Sequence, residues 1–285
     1  MSNLTIQRVG YACGARVTGL DLSRPLPAAD LEAIHKAWLE HQVLVFPGQK
    51  LDPHSLVAFT RHFGELDDYS SQPFNRHPDI KEVFVLTNRW SDGKPSKTYN
   101  AGQNWHTDLS YTVRPAKGTS VYCMEKPSVG GDTMFASMYL AYETLSPKMR
   151  EFLDGLECVH DVSLVEGLDK RGPDVANEFR RLNPPVVHPA VRLHPESGRQ
   201  MIRQLIQDGT EMKWTSFSSI DIRPAGASVL SPAQAEEMIA ALDAGFDVTD
   251  ADAHYVPGFV AAIRFAAGRW STSWSPTRSA ACWIP

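Results

Sequence analysis

Cysteine is scarce in this chain and follows no pattern. The four present among 285 residues, Cys13, Cys123, Cys158 and Cys282, show neither the short paired spacings of a zinc site nor a disulfide framework. Reduced thiols are the expectation, as in a cytoplasmic protein. Long apolar runs are missing too: none reaches the ~20 residues that a membrane-spanning helix needs. The opening Met-Ser-Asn-Leu-Thr-Ile-Gln-Arg has no basic region followed by an apolar one, so no signal peptide is expected. A basic excess is also lacking. Lys and Arg number 28 against 33 Asp and Glu, a net charge of -5, and no basic stretch is long enough to track phosphates. That removes the electrostatic case for a nucleic-acid partner. Neither an internal repeat nor a linker stands out, so a single domain over residues 1–285 is expected. With 42% hydrophobic and 21% charged residues, the composition is that of an ordinary globular protein.

Local patterns predict short strands with helices outside them. Residues 5–9 and 15–22 read as paired strands, punctuated by Gly10, Gly14 and Gly19. Residues 27–41 read as a helix with Leu31, Ile34, His35, Trp38 and Leu39 on one side. A short strand over 43–46 is stopped by Pro47 and Gly48. A second helix spans 52–63, with Asp52 as N-cap and Pro53 at its first position. Residues 83–87, 120–124 and 132–136 lean towards strand, and Ser-Pro pairs open helices over 146–155 and 231–242. This order is not the regular strand–helix alternation of a doubly wound sheet.

The chemistry concentrates in Asn104-Trp105-His106-Thr107-Asp108. On a strand, residues two apart share a face, so His106 and Asp108 can offer a nitrogen and a carboxylate oxygen to one metal. They would be two-thirds of a 2-His-1-carboxylate triad, which leaves one face of Fe(II) open. A surface His–Asp hydrogen bond is the plainer alternative. Downstream, Lys126-Pro127-Ser128-Val129-Gly130-Gly131-Asp132-Thr133 pairs a tight turn with a hydroxyl, and His188-Pro189-Ala190-Val191-Arg192-Leu193-His194-Pro195 follows.

In this order, and together with residues 14–22, 41–49 and 63–66, these segments resemble the Fe(II)- and 2-oxoglutarate-dependent dioxygenases of the TauD/TfdA family. The likeness runs through about the first 200 residues. It implies a mainly β fold with flanking helices, a double-stranded β-helix (jelly-roll) core. It implies that His106 and Asp108 bind iron and that the Thr133 hydroxyl contacts the 2-oxoglutarate carboxylate. The reaction implied is hydroxylation of a small, mostly anionic molecule with O2 as co-substrate, releasing succinate and CO2. A homo-oligomer is left open. Residues 67–104, with Tyr69, Phe74, Asn75 and His77, are expected to form a loop over the site.

The C-terminal part departs from that pattern. The family's second histidine sits in Trp-Asp-Asn-Arg-x-x-x-His, followed about a dozen residues later by an arginine that receives the distal carboxylate. Residues 257–268 resemble the strand leading into this motif, but 269–285 contain no histidine, and Trp274 and Arg278 echo the motif only faintly, with no arginine at the anchoring position. His254 is the nearest candidate for the third ligand. His160, His188 and His194 read as structural, and Cys282 is a soft donor close to the terminus. Residues 202–230 are a candidate insertion. A shifted or truncated reading frame would account for the Trp-, Ser-, Arg- and Ala-rich tail. Three readings remain open: a working dioxygenase with an unusual third ligand, a catalytically impaired or truncated relative, and a β-rich small-molecule binding protein.

Overall fold

Two compact units make up the structure, a computed structural model. It describes residues 3–70, 76–87, 106–126, 128, 132–162, 168 and 172–202, and the backbone of 219–224. The first unit takes its described residues from Met1–Gln103 and Ala116–Ala136, the second from Asn104–Pro115 and Ser137–Ser279.

In the first unit, β1 (Thr5–Arg8) pairs antiparallel with β2 (Ala15–Thr18), Thr5 opposite Thr18, and β2 pairs in parallel with β3 (Leu44–Val45). Gly19 follows β2 with φ +85°, and a Cβ there would lie 1.9 Å from the Asn3 carbonyl oxygen. Only glycine suits that close, left-handed position. Helix α1 (Ala28–His41) ends when Gln42, at φ 65°, turns its N–H back to the Trp38 carbonyl. Helix α2 (Pro53–Thr60) starts as the sequence predicts: the Asp52 carboxylate accepts the Ser55 N–H at 2.7 Å, and Pro53 holds the first position. A 3-10 turn over Arg61–Phe63 extends it. Buried Val17, Leu22, Ile34 and Phe59 form the core beneath these elements. Edge-to-face aromatic contacts join Phe46 to Phe59 and Phe59 to Phe63.

The second unit is organised by β4 (Leu156–Asp161), whose residues alternate between buried and half-buried. It pairs antiparallel with β5 (Val186–Pro189) on one side, Cys158 opposite His188. On its other side lies β8 (Ser219–Pro224), Leu156 opposite Pro224. Residues 219–224, within the candidate insertion, are therefore a sheet strand. A hairpin joins β6 (Val191–Leu193) to β7 (Gln200–Ile202). Helices α3 (Met138–Glu143) and α4 (Pro147–Asp154) are capped by the hydroxyls of Ser137 and Ser146, and α5 (Pro173–Leu182) begins on proline. Tyr111, Val162, Leu168, Ala176 and Phe179 form a buried cluster.

Strands and helices are mixed among the described residues, in two three-stranded sheets and one hairpin. Residues 83–87 contribute only the Arg76–Phe84 bridge, and 120–124 form no strand. No helix among the described residues is long and apolar enough to cross a membrane.

Candidate functional site

His106 and Asp108 do meet, though not on a regular strand. Residues 108–111 form a turn, and the His106 Nε2 lies 3.3 Å from the Asp108 Oδ1. The His106 side chain is 8% exposed and that of Asp108 38%. One donor is thus fixed in the protein interior while the other faces outward.

The turn is closed from within. Leu109 has φ 53°, a conformation unusual for a bulky residue and held only by its surroundings. Its side chain packs against the cluster around Tyr111 and Phe179. The Thr112 N–H and hydroxyl both donate to the Leu109 carbonyl, at 3.0 and 2.8 Å. Tyr111 is buried edge-to-face on Phe179, with centroids 5.9 Å apart. From β5, the His188 Nε2 stands 2.9 Å from the Thr112 carbonyl oxygen.

The donor set fits a metal. Two ligands bound at about 2.1 Å and at right angles would be about 3 Å apart, close to the separation seen. One nitrogen and one carboxylate oxygen suit Fe(II). No group of three metal-binding side chains occurs among the described residues. His254, Cys282, Trp105, Phe74, Asn75 and the Gly130-Gly131 turn lie outside them. Thr133 is an exposed residue of the first unit.

His160 and His194, expected to be structural, have partners of that kind. The His194 Nδ1 accepts the N–H groups of Glu196 and Ser197, at 3.3 and 3.1 Å. His160 is buried on β4 with its ring centroid 5.4 Å from that of His188. In the loop expected over the site, Tyr69 contacts the Phe84 ring, and the His77 Nδ1 accepts the Asp79 and Ile80 amides. Sequence reasoning did not connect Leu109, Tyr111, Phe179 and His188 to the site. The apolar character of Leu109 and Tyr111, flanking a polar motif, was the available signal.

Comparison with known proteins shows the family of the chain. The model described as "Taurine catabolism dioxygenase TauD, TfdA family" matches residues 5–255. The chain is 28% identical over 206 residues to the (S)-phenoxypropionate/alpha-ketoglutarate-dioxygenase of Delftia acidovorans, covering 70% of each chain. It is 31% identical over 197 residues to the alpha-ketoglutarate-dependent 2,4-dichlorophenoxyacetate dioxygenase of Cupriavidus pinatubonensis, covering 66% of this chain and 68% of that one. Among solved structures, AAD-2 in complex with Mn(II) and N-oxalylglycine aligns with a TM-score of 0.55 at 26% identity. That alignment covers 70% of this chain and 71% of the other.

Proposed function

We propose that this chain, which belongs to the TauD/TfdA family of Fe(II)- and 2-oxoglutarate-dependent dioxygenases, hydroxylates a small anionic organic substrate and releases succinate and CO2. The observation that carries this reading is the 3.3 Å approach of the His106 and Asp108 donor atoms. A jelly-roll core belongs to the same reading, supported by the likeness to dioxygenase structures. Bound iron and 2-oxoglutarate would supply the oxidising chemistry.

The residues of the chain hold and shape that site. His106 offers a neutral imidazole nitrogen from a buried position, and Asp108 adds a negative charge that offsets part of the cation's. Burial of His106 against the protein interior keeps water from one side of the pair. Thr133 is the residue we assign to the 2-oxoglutarate carboxylate, and His254 is the third ligand. The aryloxyalkanoate names of the relatives support an anionic substrate.

A catalytically impaired member is the second reading. It is favoured by residues 257–285, which do not carry the family's Trp-Asp-Asn-Arg-x-x-x-His pattern, and by a family match over residues 5–255 that does not include them. Anaerobic Fe(II) titration with 2-oxoglutarate separates the two by the visible charge-transfer band of the chelate. A working enzyme gives a band that His106→Ala and His254→Ala both abolish. A band that survives only in His254→Ala places the third ligand elsewhere. A parent chain with no band supports the impaired reading.

A further inference from the structure

We infer that His188 is a positioning residue for the His106/Asp108 pair, acting through the Thr112 carbonyl; the inference rests on the metal reading above. The contact is directional. A carbonyl oxygen only accepts, so the imidazole donates from Nε2 across 2.9 Å and the proton sits on that nitrogen. His188 is 7% exposed, and away from water a satisfied hydrogen bond fixes geometry strongly.

What it fixes is the turn that begins at Asp108 and follows His106. The Thr112 N–H and hydroxyl both hold the Leu109 carbonyl, so Leu109 to Thr112 move as one piece. Leu109 adjoins Asp108 and sits at φ 53°, a conformation that would relax if the turn were released. His188 is anchored in turn. It lies opposite Cys158 in the β4–β5 register, with its ring against that of His160. A bond spanning 76 positions of sequence therefore connects the sheet to the metal-binding turn, in the manner of the outer partners that orient metal ligands.

The test uses the full chain and the variants His188→Leu, which fills the space without a donor, and His188→Gln, whose amide can donate from a similar place. Hydrogen exchange of peptides covering 106–115 and 173–182 is followed without metal, and Mn(II) affinity by the EPR signal of the free ion. His188→Leu should speed exchange in 106–115 while leaving 173–182 unchanged, and weaken Mn(II) binding about tenfold, the lower end for outer partners. His188→Gln should restore both. If His188→Leu does not fold, His188→Asn, too short to reach the carbonyl, takes its place. Unchanged exchange in 106–115, equal acceleration of 173–182, unaltered Mn(II) affinity, or a glutamine variant that behaves like leucine would each overturn the assignment. A parent chain that binds no Mn(II) overturns the metal reading alone, and the exchange of 106–115 then decides the positioning.

Discussion

Beneath β1 to β3 the protein buries aliphatic and aromatic side chains, whereas the unit that carries the His106/Asp108 pair also buries imidazoles. Val17, Leu22, Ile34 and Phe59 fill the first core. In the second unit His106, His160, His188 and His194 are all buried. An aliphatic core is held by volume and tolerates exchanges that conserve it. A buried imidazole is held by particular partners, since leaving its nitrogens unmatched is costly. His188 meets one carbonyl and His194 two amides. The contrast teaches that the first unit should answer to changes of size, and the site to changes of hydrogen-bonding identity.

The largest effect expected is from His106→Ala. Loss of a direct donor should weaken metal binding by more than the about 100-fold upper limit for outer partners, with the far-ultraviolet circular dichroism unchanged. Parental Mn(II) affinity in that variant would remove His106 from the site. A sharper comparison comes from one cavity in each core. Ile34→Ala and Phe179→Ala should each cost about 3 kcal/mol in denaturant unfolding. Only Phe179, whose ring supports Tyr111, should also weaken Mn(II) binding by the folded protein. Equal weakening by Ile34→Ala would break the distinction between the two regions.

Legibility in the sequence follows the same division. Helices α1, α2 and α4 lie where periodicity and capping place them, because Asp52-Pro53 and Ser146-Pro147 act within one turn. Helix α5 is not among the helices predicted from the sequence, although Pro173 opens it and Ala176 and Phe179 are its buried residues. The donor pair could be read because its residues lie two apart. Its turn could not: nothing in a leucine announces the positive φ of Leu109, which packing imposes. The His188 contact was equally hidden, since it joins residues distant in sequence. Residues 120–124 show the opposite error, a β-leaning composition that the tertiary structure does not use. His254, the helix expected over 231–242 and the tail lie outside the described residues.

The smallest effects compare one capping device across the two units. Ser146 accepts the Met149 N–H at 3.3 Å ahead of Pro147, as Asp52 accepts the Ser55 N–H ahead of Pro53. Ser146→Ala should cost about 1 kcal/mol by the same amount at every pH, because a hydroxyl does not titrate there. Asp52 is different. The Ser55 N–H holds its carboxyl below the ordinary 3.8, so the ionised cap favours the folded state. That contribution is complete above the unfolded value and is lost as the pH falls through the lowered folded one. Asp52→Asn keeps an acceptor oxygen without the charge. Between pH 6 and pH 3 the parent should lose more thermal stability than Asp52→Asn, while Ser146→Ala loses as much as the parent. Identical acid sensitivity in the parent and Asp52→Asn would mean that the charge at this cap adds nothing, and that the hydrogen bond alone starts α2.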